Sequence, residues 1–368
     1  MYGHLAGPYC AVPTTALPDD LRAERERIDV HLEGYLDTAL ARVTDLHPSL
    51  EVAAEELRAF VLGGGKRLRP LFMVTGFVGA RGGSSGAVLG AALALELLHT
   101  CALLHDDVID ASPTRRGRPT AHERFATYHA EHAYHGDAQA FGRAVAILLG
   151  DLAFVQADDA LLGCAVPGDR LLAALRVFTT LREEVTAGQY LDTVAAHGHE
   201  TSSELALEVA SLKSGRYTVA RPLQLGATLA GDDALAGALF EVGLPLGVAF
   251  QLRDDVLGVF GNQAATGKPT ASDLAEGKRT LLVTETLRRL GPADREVFTA
   301  HLGDADLDVH GQATLRRLMT SSGGRAAVEP RIGALTDEAR RRAGALDLAA
   351  PADAWLDALV ELIVTRSS

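Results

Sequence analysis

Two acidic clusters interrupt strongly apolar stretches of this 368-residue chain. The first comprises Asp106, Asp107 and Asp110, and the second, much later in the chain, comprises Asp254 and Asp255. Carboxylates are costly to bury among apolar side chains unless a cation or hydrogen bonds compensate them. Oxygen ligands with no neighbouring cysteine suit Mg²⁺, which keeps several waters and bridges carboxylates to phosphate oxygens. The two clusters therefore predict a shared magnesium site.

The spacing within each cluster indicates which carboxylates act together. On a helix Asp106 and Asp110 share one face, while Asp107 lies about 100° around the axis. In the second cluster Gly258 stands where a third acid would share the face of Asp254. One carboxylate can still bind Mg²⁺ together with phosphate and water. The alternative, a solvated acidic helix end, fits poorly with the apolar flanks.

Basic residues gather in three places that could bind anions. They are Lys66, Arg67 and Arg69 after a glycine turn, Arg115 and Arg116 beyond the first acidic cluster, and Lys268 and Lys278 after the second. The turn at 63–65 runs into a helix start, where free backbone N–H groups and the helix dipole favour an anion. Each of these three sets of basic residues, taken alone, is typical of ordinary charged residues on a protein surface. Together with the acids they predict sites for two polyphosphate-like groups, one bound through metal and one by basic side chains.

Histidines add two further candidates. His99 lies two helical turns before Asp106 on the same face, so a core role and a functional role are both open. The spacing of His129, His132 and His135 loosely suggests a metal site. Because no further ligands of matching spacing accompany them, a solvated segment is the preferred interpretation.

Composition narrows the function classes. The formal net charge is −13, from 48 acidic and 35 basic residues, which disfavours a nucleic-acid partner. Cys10, Cys101 and Cys164 are too widely spaced for a disulfide framework or a zinc motif, and this favours the reducing cytoplasm. We expect no integral membrane association, since no stretch reaches the roughly 18 uninterrupted apolar residues of a membrane helix.

The elements that must position these residues are helices. Alanine and leucine are abundant and aromatic residues make up only 5%, which favours helix over sheet. The periodicity predicts a flexible extension at 1–20 and one all-helical domain at 21–368. Segments 90–109, 141–162 and 235–260 are apolar on nearly every face, so they should be central helices surrounded by others.

These motifs resemble the trans-isoprenyl diphosphate synthases, also called polyprenyl synthetases. The resemblance covers nearly the whole chain after the extension, with the motifs in the family's order. They are residues 64–70, 96–99, 106–110, 115–117, 188–189, Lys213 and 250–255. The residues at 218–223 and the replaced third acid resemble the geranylgeranyl diphosphate synthase branch of actinobacteria.

The resemblance implies an all-α isoprenoid synthase helical bundle around a deep central cavity, with the two acidic clusters facing each other at its mouth. It implies a homodimer. It also implies a magnesium-dependent, head-to-tail condensation of isopentenyl diphosphate with allylic diphosphates. The expected product is an all-trans prenyl diphosphate, most of all geranylgeranyl diphosphate, with farnesyl or longer products left open.

The resemblance also implies residue roles. Asp106 and Asp110 would bind two Mg²⁺ ions and Asp254 a third, with Asp107 and Asp255 counted among the metal residues. The allylic diphosphate would be held by Arg115, Lys213, Ser214, Gln251, Lys268 and Lys278. Isopentenyl diphosphate would be held without metal by Lys66, Arg69, His99 and Arg116.

Product length depends on the helix before the first acidic cluster. In the family, bulky residues five and four positions before the first aspartate form a floor under the growing chain. Here Cys101 and Ala102 occupy those positions, and both are small. We therefore expect the floor one or two turns deeper, at Leu98 or Leu95.

The chain departs from the family pattern at Gly258, at Ser214, where threonine is common, and at Asn262, where an acid is frequent. Two alternatives follow. A terpene cyclase of the same fold would ionise an allylic diphosphate and would need no second diphosphate site. A catalytically silent partner subunit would explain the loss of an acid at Gly258.

Overall fold

The computed structural model describes residues 17–81, 84–198, 202–261 and 272–364. Within these ranges the chain is almost entirely helical, which confirms the all-α prediction. The helices are α1 (Asp19–Thr44), α2 (Glu51–Leu62), α3 (Leu68–Arg81), α4 (Leu89–Ile109), α5 (Ala121–Glu131), α6 (Ala138–Leu162), α7 (Gly168–His197), α8 (Ser203–Val209), α9 (Arg221–Ala230), α10 (Asp233–Phe260), α11 (Ser272–Ala275), α12 (Leu281–Arg289), α13 (Pro292–His301), α14 (Val309–Ser321), α15 (Gly324–Ala343) and α16 (Ala352–Val364).

Shorter elements complete the described chain. A π-helix at Ala210–Ala220 joins α8 to α9, and 3₁₀ turns lie at Pro48–Leu50 and Ser85–Val88. Strands β1 (Thr114–Arg115) and β2 (Arg118–Pro119) pair antiparallel as a small ribbon after α4.

The chain divides into two compact units. The first comprises the chain up to Leu71 together with Gly86–Ala165, and the second comprises Phe72–Ser85 and the chain from Val166 onward. The N-terminal extension lies outside the described residues except for its last few positions. A single domain at 21–368 stays a prediction.

The first unit is built around α4. Helix α4 packs against α6, and α5 packs against α6 as well, while α1 and α2 contact α4. The buried leucines of α4, among them Leu95, Leu97 and Leu98, lie on more than one face. A helix that is apolar all round is stable in water only inside such a shell, so α4 has the central position expected of segment 90–109.

Helix α6 differs from its expected central position. Leu148, Val155 and Leu162 are 64%, 62% and 58% exposed, and their seven-residue spacing places them in one stripe. The prediction that 141–162 is enclosed by other helices of the chain is therefore wrong for this face. Composition cannot separate a helix covered by its own chain from one with an uncovered apolar face.

The second unit is organised around α10, which packs against the π-helix, α9 and α15. Small residues allow the close approach to the π-helix, because a Cβ at Gly247 would clash with the backbone of Gly215. A Cβ at Gly243 would likewise meet the Cα of Ala220 at 2.5 Å. The backbone around Lys213 is thus held against the helix that carries the second acidic cluster.

Two helical segments are long and apolar enough to cross a membrane by length and composition. They are Ser85–Ile109 and Asp233–Phe260, and 72% and 61% of their apolar windows are buried inside the protein. Burial of this extent is typical of the core helices of a folded protein.

Candidate active site

The first acidic cluster lies at the C-terminal end of α4. The backbone N–H of Asp110 donates to the carbonyl oxygen of Asp106 at 2.8 Å, so the helical geometry continues through Asp110. Both carboxylates are partly exposed and lie one turn apart, as their spacing predicted. They present hard oxygen ligands to solvent on one face of the helix end.

Asp107 is paired with Arg115. The Arg115 guanidinium donates from Nε to both carboxylate oxygens at 2.8 and 2.9 Å, and its Nη2 lies 2.6 Å from Oδ1. Asp107 is only 1% exposed. The geometry thus favours a positioning role for Asp107, which holds Arg115, over the metal role expected from the sequence. The physical reason is its 100° offset, which turns it into the protein.

The hairpin after α4 explains how Arg115 reaches Asp107. Arg115 pairs with Arg118, and the two residues between them, Arg116 and Gly117, have φ angles of +52° and +74°. Positive φ at both central positions is the geometry of a type I′ turn, which matches the twist of a two-residue hairpin. The turn folds the chain back on the helix end, and Arg115 Nη2 also comes within 3.6 Å of Asp106.

In the second cluster, Asp254 and Asp255 differ in burial. Asp254 is partly exposed, whereas Asp255 is 8% exposed and its Oδ1 accepts a hydrogen bond from Gln251 Nε2 at 2.6 Å. Burial, followed by the negative charge of Asp273, raises the pKa of Asp255 to about 8. Asp254 is therefore the better metal ligand, and Gln251 is used to hold Asp255.

Lys213 lies in the π-helix and pairs with a residue that the sequence interpretation missed. Its Nζ lies 2.7 Å from Asp192 Oδ2 of α7. Gly188 brings α7 close, because a Cβ there would clash with the Lys213 backbone. Asp192 also contributes to the raised pKa of Asp255. The sequence feature that could have identified Asp192 is its position four residues after Gly188, which places both residues on the same face of a long helix.

The other predicted allylic residues lie in three settings. Ser214 follows Lys213 in the π-helix and is partly buried. Lys278 follows α11, where its Nζ is 2.5 Å from Glu276 Oε2 and 3.6 Å from Asp273 Oδ1. Lys268 and the variant position Asn262 lie outside the described residues.

A cationic group surrounds His99. His99 retains some exposure, although its Nδ1 is enclosed. Burial and then the positive charges of Arg69 and Arg116 hold the pKa of His99 well below its ordinary value. Arg116 Nη1 donates to the carbonyl oxygen of Gly64, which ties the hairpin to the glycine turn. Partly exposed Lys66 belongs to the same turn, so all four predicted residues lie in the first unit.

Arg67 does not share the anion-binding role expected for the basic segment. Its Nε donates to Asp29 at 2.8 Å and its Nη1 donates to Glu96 at 2.5 Å, and the side chain is 5% exposed. A buried guanidinium needs such carboxylate partners. Arg67 therefore anchors the turn to α1 and α4, and the number of cations available to an anion falls by one.

The three clustered histidines form part of an aromatic group. The His132 ring stacks on Tyr128 with centroids 3.9 Å apart, and His129 is 4% exposed, 5.2 Å from the Phe141 ring. The preferred interpretation of a solvated segment is wrong for His129. Its Nε2 bonds the carbonyl oxygen of His135 at 3.2 Å, which satisfies the buried ring.

The proposed chain-length residues are mostly enclosed. Cys101 and Leu98 are 7% and 3% exposed, and Ala102 is half-buried. Cys101 Sγ lies 3.8 Å from His105 Nδ1, and His105 Nε2 contacts the Ile147 carbonyl of α6 at 3.0 Å. Burial, followed by the charge of Asp151, raises the pKa of the Cys101 thiol to about 12, so the thiol stays protonated.

The outer carboxylates of each acidic cluster have the donor chemistry that suits a divalent cation of the magnesium type. Asp106 and Asp110 in the first unit are partly exposed, and so is Asp254 in the second unit. In the described parts of the chain, no three Asp, Glu, His or Cys side chains are gathered tightly enough to hold a metal by themselves. This pattern suits Mg²⁺, which takes one or two carboxylates and completes its shell with water and phosphate.

Comparison with known proteins identifies the family. The family model for polyprenyl synthetase matches residues 51–318. The fold is similar to a geranylgeranyl pyrophosphate synthase of Corynebacterium glutamicum, solved with isoprenyl diphosphate and magnesium. The TM-score is 0.89 at 38% identity, over 93% of this chain and 98% of the other.

Curated relatives point the same way. A geranylgeranyl diphosphate synthase of Saccharolobus solfataricus is 32% identical over 66% of this chain and 69% of its own length. A (2E,6E)-farnesyl diphosphate synthase of Mycobacterium tuberculosis is 34% identical over 63% of this chain and 60% of its own. Because the family model matches most of the chain, the chain belongs to the polyprenyl synthetase family of metal-dependent prenyltransferases.

Proposed function

We propose that the protein condenses isopentenyl diphosphate with allylic diphosphates, head to tail, to make all-trans geranylgeranyl diphosphate. The observation that carries the proposal is the cationic group of Arg69, Arg116 and His99. Burial, followed by the charges of these two guanidinium groups, holds the pKa of His99 well below its ordinary value, so the imidazole is neutral. The local potential is therefore positive, and a neutral imidazole can donate a hydrogen bond to a phosphate oxygen.

This group distinguishes a synthase from a cyclase. A cyclase ionises one diphosphate and has no use for a second diphosphate site. In this chain Arg67 and Arg115 are paired with carboxylates. Arg116 donates to the Gly64 carbonyl and acts electrostatically on His99. Those contacts support a separate site for isopentenyl diphosphate, formed with Lys66 and without metal.

The proposed chemistry starts with loss of pyrophosphate from the allylic substrate. The residues proposed to hold three Mg²⁺ ions are Asp106 and Asp110 of the first unit and Asp254 of the second. Bound Mg²⁺ would neutralise charge on the leaving pyrophosphate. Arg115, Lys213 and Lys278 donate hydrogen bonds to the same group and stabilise the charge that develops on its oxygens. Asp107, Asp192 and Glu276 hold these three cations in place.

Carbon–carbon bond formation follows the loss of pyrophosphate. The carbon–oxygen bond breaks with its electron pair leaving on pyrophosphate, and the isopentenyl double bond attacks the allylic carbon. One proton then passes from the isopentenyl unit to the released pyrophosphate, which restores a double bond. Lys66, Arg69, His99 and Arg116 fix the attacking substrate, which lowers the entropic cost of the encounter.

The proposed product length depends on α4. Cys101 and Ala102 are small, and Leu98 and Leu95 are the next large side chains towards the start of the helix. The names of the Corynebacterium and Saccharolobus proteins support a geranylgeranyl product. The farnesyl synthase relative makes a shorter product the alternative to be measured.

The decisive experiment incubates the purified protein with Mg²⁺, isopentenyl diphosphate and dimethylallyl, geranyl or farnesyl diphosphate, and identifies the dephosphorylated products by mass spectrometry. Geranylgeraniol is expected from all three primers. Cyclic hydrocarbons formed without isopentenyl diphosphate would establish a cyclase instead. No product at all would favour the silent subunit.

A matched pair of variants tests the second site. Lys66→Ala should raise KM for isopentenyl diphosphate more than KM for the allylic primer. Lys213→Ala should do the reverse. Equal effects of either variant on both substrates would contradict the assignment of two separate sites.

We also propose that the protein is a cytoplasmic homodimer. The stripe of Leu148, Val155 and Leu162 on α6 supports the dimer, because exposed apolar stripes of this kind are typical of subunit interfaces. Val155→Glu should shift the mass measured by light scattering from dimer to monomer. Val30→Glu, at a 68% exposed position of α1, is the control and should leave the mass unchanged.

A further inference from the structure

Gly258 leaves the second acidic cluster without an acid on the face of Asp254, yet a carboxylate lies next to this glycine. A Cβ built at Gly258 would be 3.0 Å from Asp273 Oδ2, and that oxygen is the nearest atom to it. The space into which a side chain at position 258 would extend is therefore taken by a carboxylate from elsewhere in the sequence.

We propose that Asp273 replaces the acid missing at position 258 and provides a further oxygen ligand, beside Asp254, for the divalent metal. This inference rests on the proposed function, because it assigns a residue to the same metal site. It accounts for Gly258, since a larger side chain there would push Asp273 away.

The local structure fixes Asp273 in this position. Asp273 lies in the short helix α11, and the next residue, Leu274, is 1% exposed in the hydrophobic core of the second unit. The Asp273 carbonyl accepts a hydrogen bond from the N–H of Lys278 at 3.0 Å, and Gly277 closes the turn with a φ angle of +74°. A buried anchor and a closed turn hold the carboxylate beside α10.

The charge environment leaves Asp273 suited to a cation. Lys278 Nζ is 3.6 Å from Asp273 but 2.5 Å from Glu276, so Glu276 is the closer partner of the lysine. The Asp273 side chain is 23% exposed, which allows a hydrated ion to reach it. Carboxylate oxygens together with water and phosphate are the ligands that Mg²⁺ prefers.

An alternative role for Asp273 is to position Lys278, and the two roles predict different results. If Asp273 is a metal ligand, its loss weakens metal binding directly, and a carboxylate placed at position 258 can take over its role. A residue that positions Lys278 should instead behave like Glu276, the other acidic neighbour of that lysine.

The test measures Mn²⁺ binding by electron paramagnetic resonance in the presence of inorganic pyrophosphate, on the full chain. The variants are Asp273→Asn, Gly258→Asp, a double variant that combines Gly258→Asp with Asp273→Ala, and Glu276→Gln as the matched control. Asp273→Asn should weaken binding by about tenfold or more. The double variant should restore it, because alanine at position 273 leaves room for the new carboxylate, while Gly258→Asp alone should not strengthen it because two carboxylates then compete for one space.

The outcomes separate this inference from the proposed function. Mn²⁺ binding by Asp273→Asn equal to wild type, or no restoration in a double variant with a wild-type circular dichroism spectrum, would overturn the inference. Equal losses in Asp273→Asn and Glu276→Gln would also overturn it, in favour of a role through Lys278. Failure of the wild-type protein itself to bind Mn²⁺ with pyrophosphate would instead overturn the proposed metal site.

Discussion

The Asp–Asp pairs at 106–107 and 254–255 repeat one pattern on two helices, but the inner aspartate of each pair is compensated in a different way. Asp107 is neutralised by the guanidinium of Arg115. Asp255 accepts one hydrogen bond from Gln251, and its raised pKa keeps a proton on it near neutral pH. A salt bridge compensates a full buried charge, whereas a proton removes the charge.

This difference separates two ways of building a metal site. At the first cluster the inner carboxylate forms a salt bridge with Arg115, a proposed substrate-binding residue. At the second cluster the inner carboxyl, Asp255, carries a proton near neutral pH, which reduces the negative charge beside Asp254. The carboxylates of Asp192 and Asp273 already contribute negative charge near Asp255. The outer aspartates of both pairs remain the proposed metal ligands.

The largest expected effect comes from an outer aspartate. Asp106→Ala removes a proposed metal ligand, and we expect the turnover number to fall by at least about 10²–10³-fold, the scale of losing one preorganised charge-stabilising group. Steady-state assays with saturating Mg²⁺ and both substrates measure it. Asp169→Asn, at an exposed position in the first turn of α7, is the control. Near wild-type turnover by Asp106→Ala would contradict the metal assignment.

The salt bridge at the first cluster should dominate stability. Arg115→Met leaves the Asp107 carboxylate buried without its partner, and breaking such a pair costs about 3–5 kcal/mol in the free energy of unfolding. Urea denaturation at neutral pH measures the loss. Adding Asp107→Asn to Arg115→Met should recover most of it, because no charge then remains buried. Similar stabilities of the single and double variants would show that Asp107 is not ionised.

At the second cluster, Asp255→Asn should stabilise the metal-free protein in a pH-dependent way. The folded-state pKa of Asp255, about 8, lies above its value of 3.8 in an unfolded chain. The wild type therefore loses stability as pH rises from about 4 to 8, and the variant does not. We expect the advantage of the variant to grow over this range, by at most about 6 kcal/mol for the full difference in pKa, and to level off above pH 8.

Thermal and urea unfolding at several pH values, with a chelator present, measure this advantage. Asp169→Asn again serves as the control, since an exposed aspartate should show no such trend. A constant difference between Asp255→Asn and wild type across the range would show that Asp255 ionises normally.

The helical class could be predicted from the sequence, and so could the residues of the cationic group around His99. Residues 64–70, His99 and Arg116 are named by short motifs, and helical periodicity places the chemistry of α4 on one face. The same spacing shows that Asp106 and Asp107 point in different directions. It could not show which of them meets Arg115, because that contact depends on a type I′ turn that pairs only two residues on each side.

The residues that prediction missed are those whose partners lie far away in the sequence. Asp192 reaches Lys213 from another helix, and Asp273 reaches Gly258 from the other side of a polar segment. Asp192 is marked only by its position four residues after Gly188 on the same helix face, and the contact of Asp273 leaves no periodic signal because it depends on a tertiary approach to a glycine. The exposed stripe of α6 was missed for the opposite reason, since apolar periodicity is the same whether a helix is covered by its own chain or by another subunit.

The smallest expected effect tests the hydrogen bond at the second cluster. Gln251→Leu removes the donor to Asp255, whose carboxyl is mostly protonated below pH 8. A hydrogen bond to a neutral group contributes about 0.5–1.5 kcal/mol, and one to an ionised group about 1.5–3 kcal/mol. The cost of Gln251→Leu in the free energy of unfolding should therefore be near 1 kcal/mol at pH 6 and larger at pH 9, by about 1 kcal/mol. Arg115→Met should show no such dependence, because Asp107 raises the pKa of Arg115 still further above this range. If the cost of Gln251→Leu is the same at pH 6 and pH 9, then Asp255 keeps one protonation state across the range, and the two acidic clusters do not differ in the way that their contacts indicate.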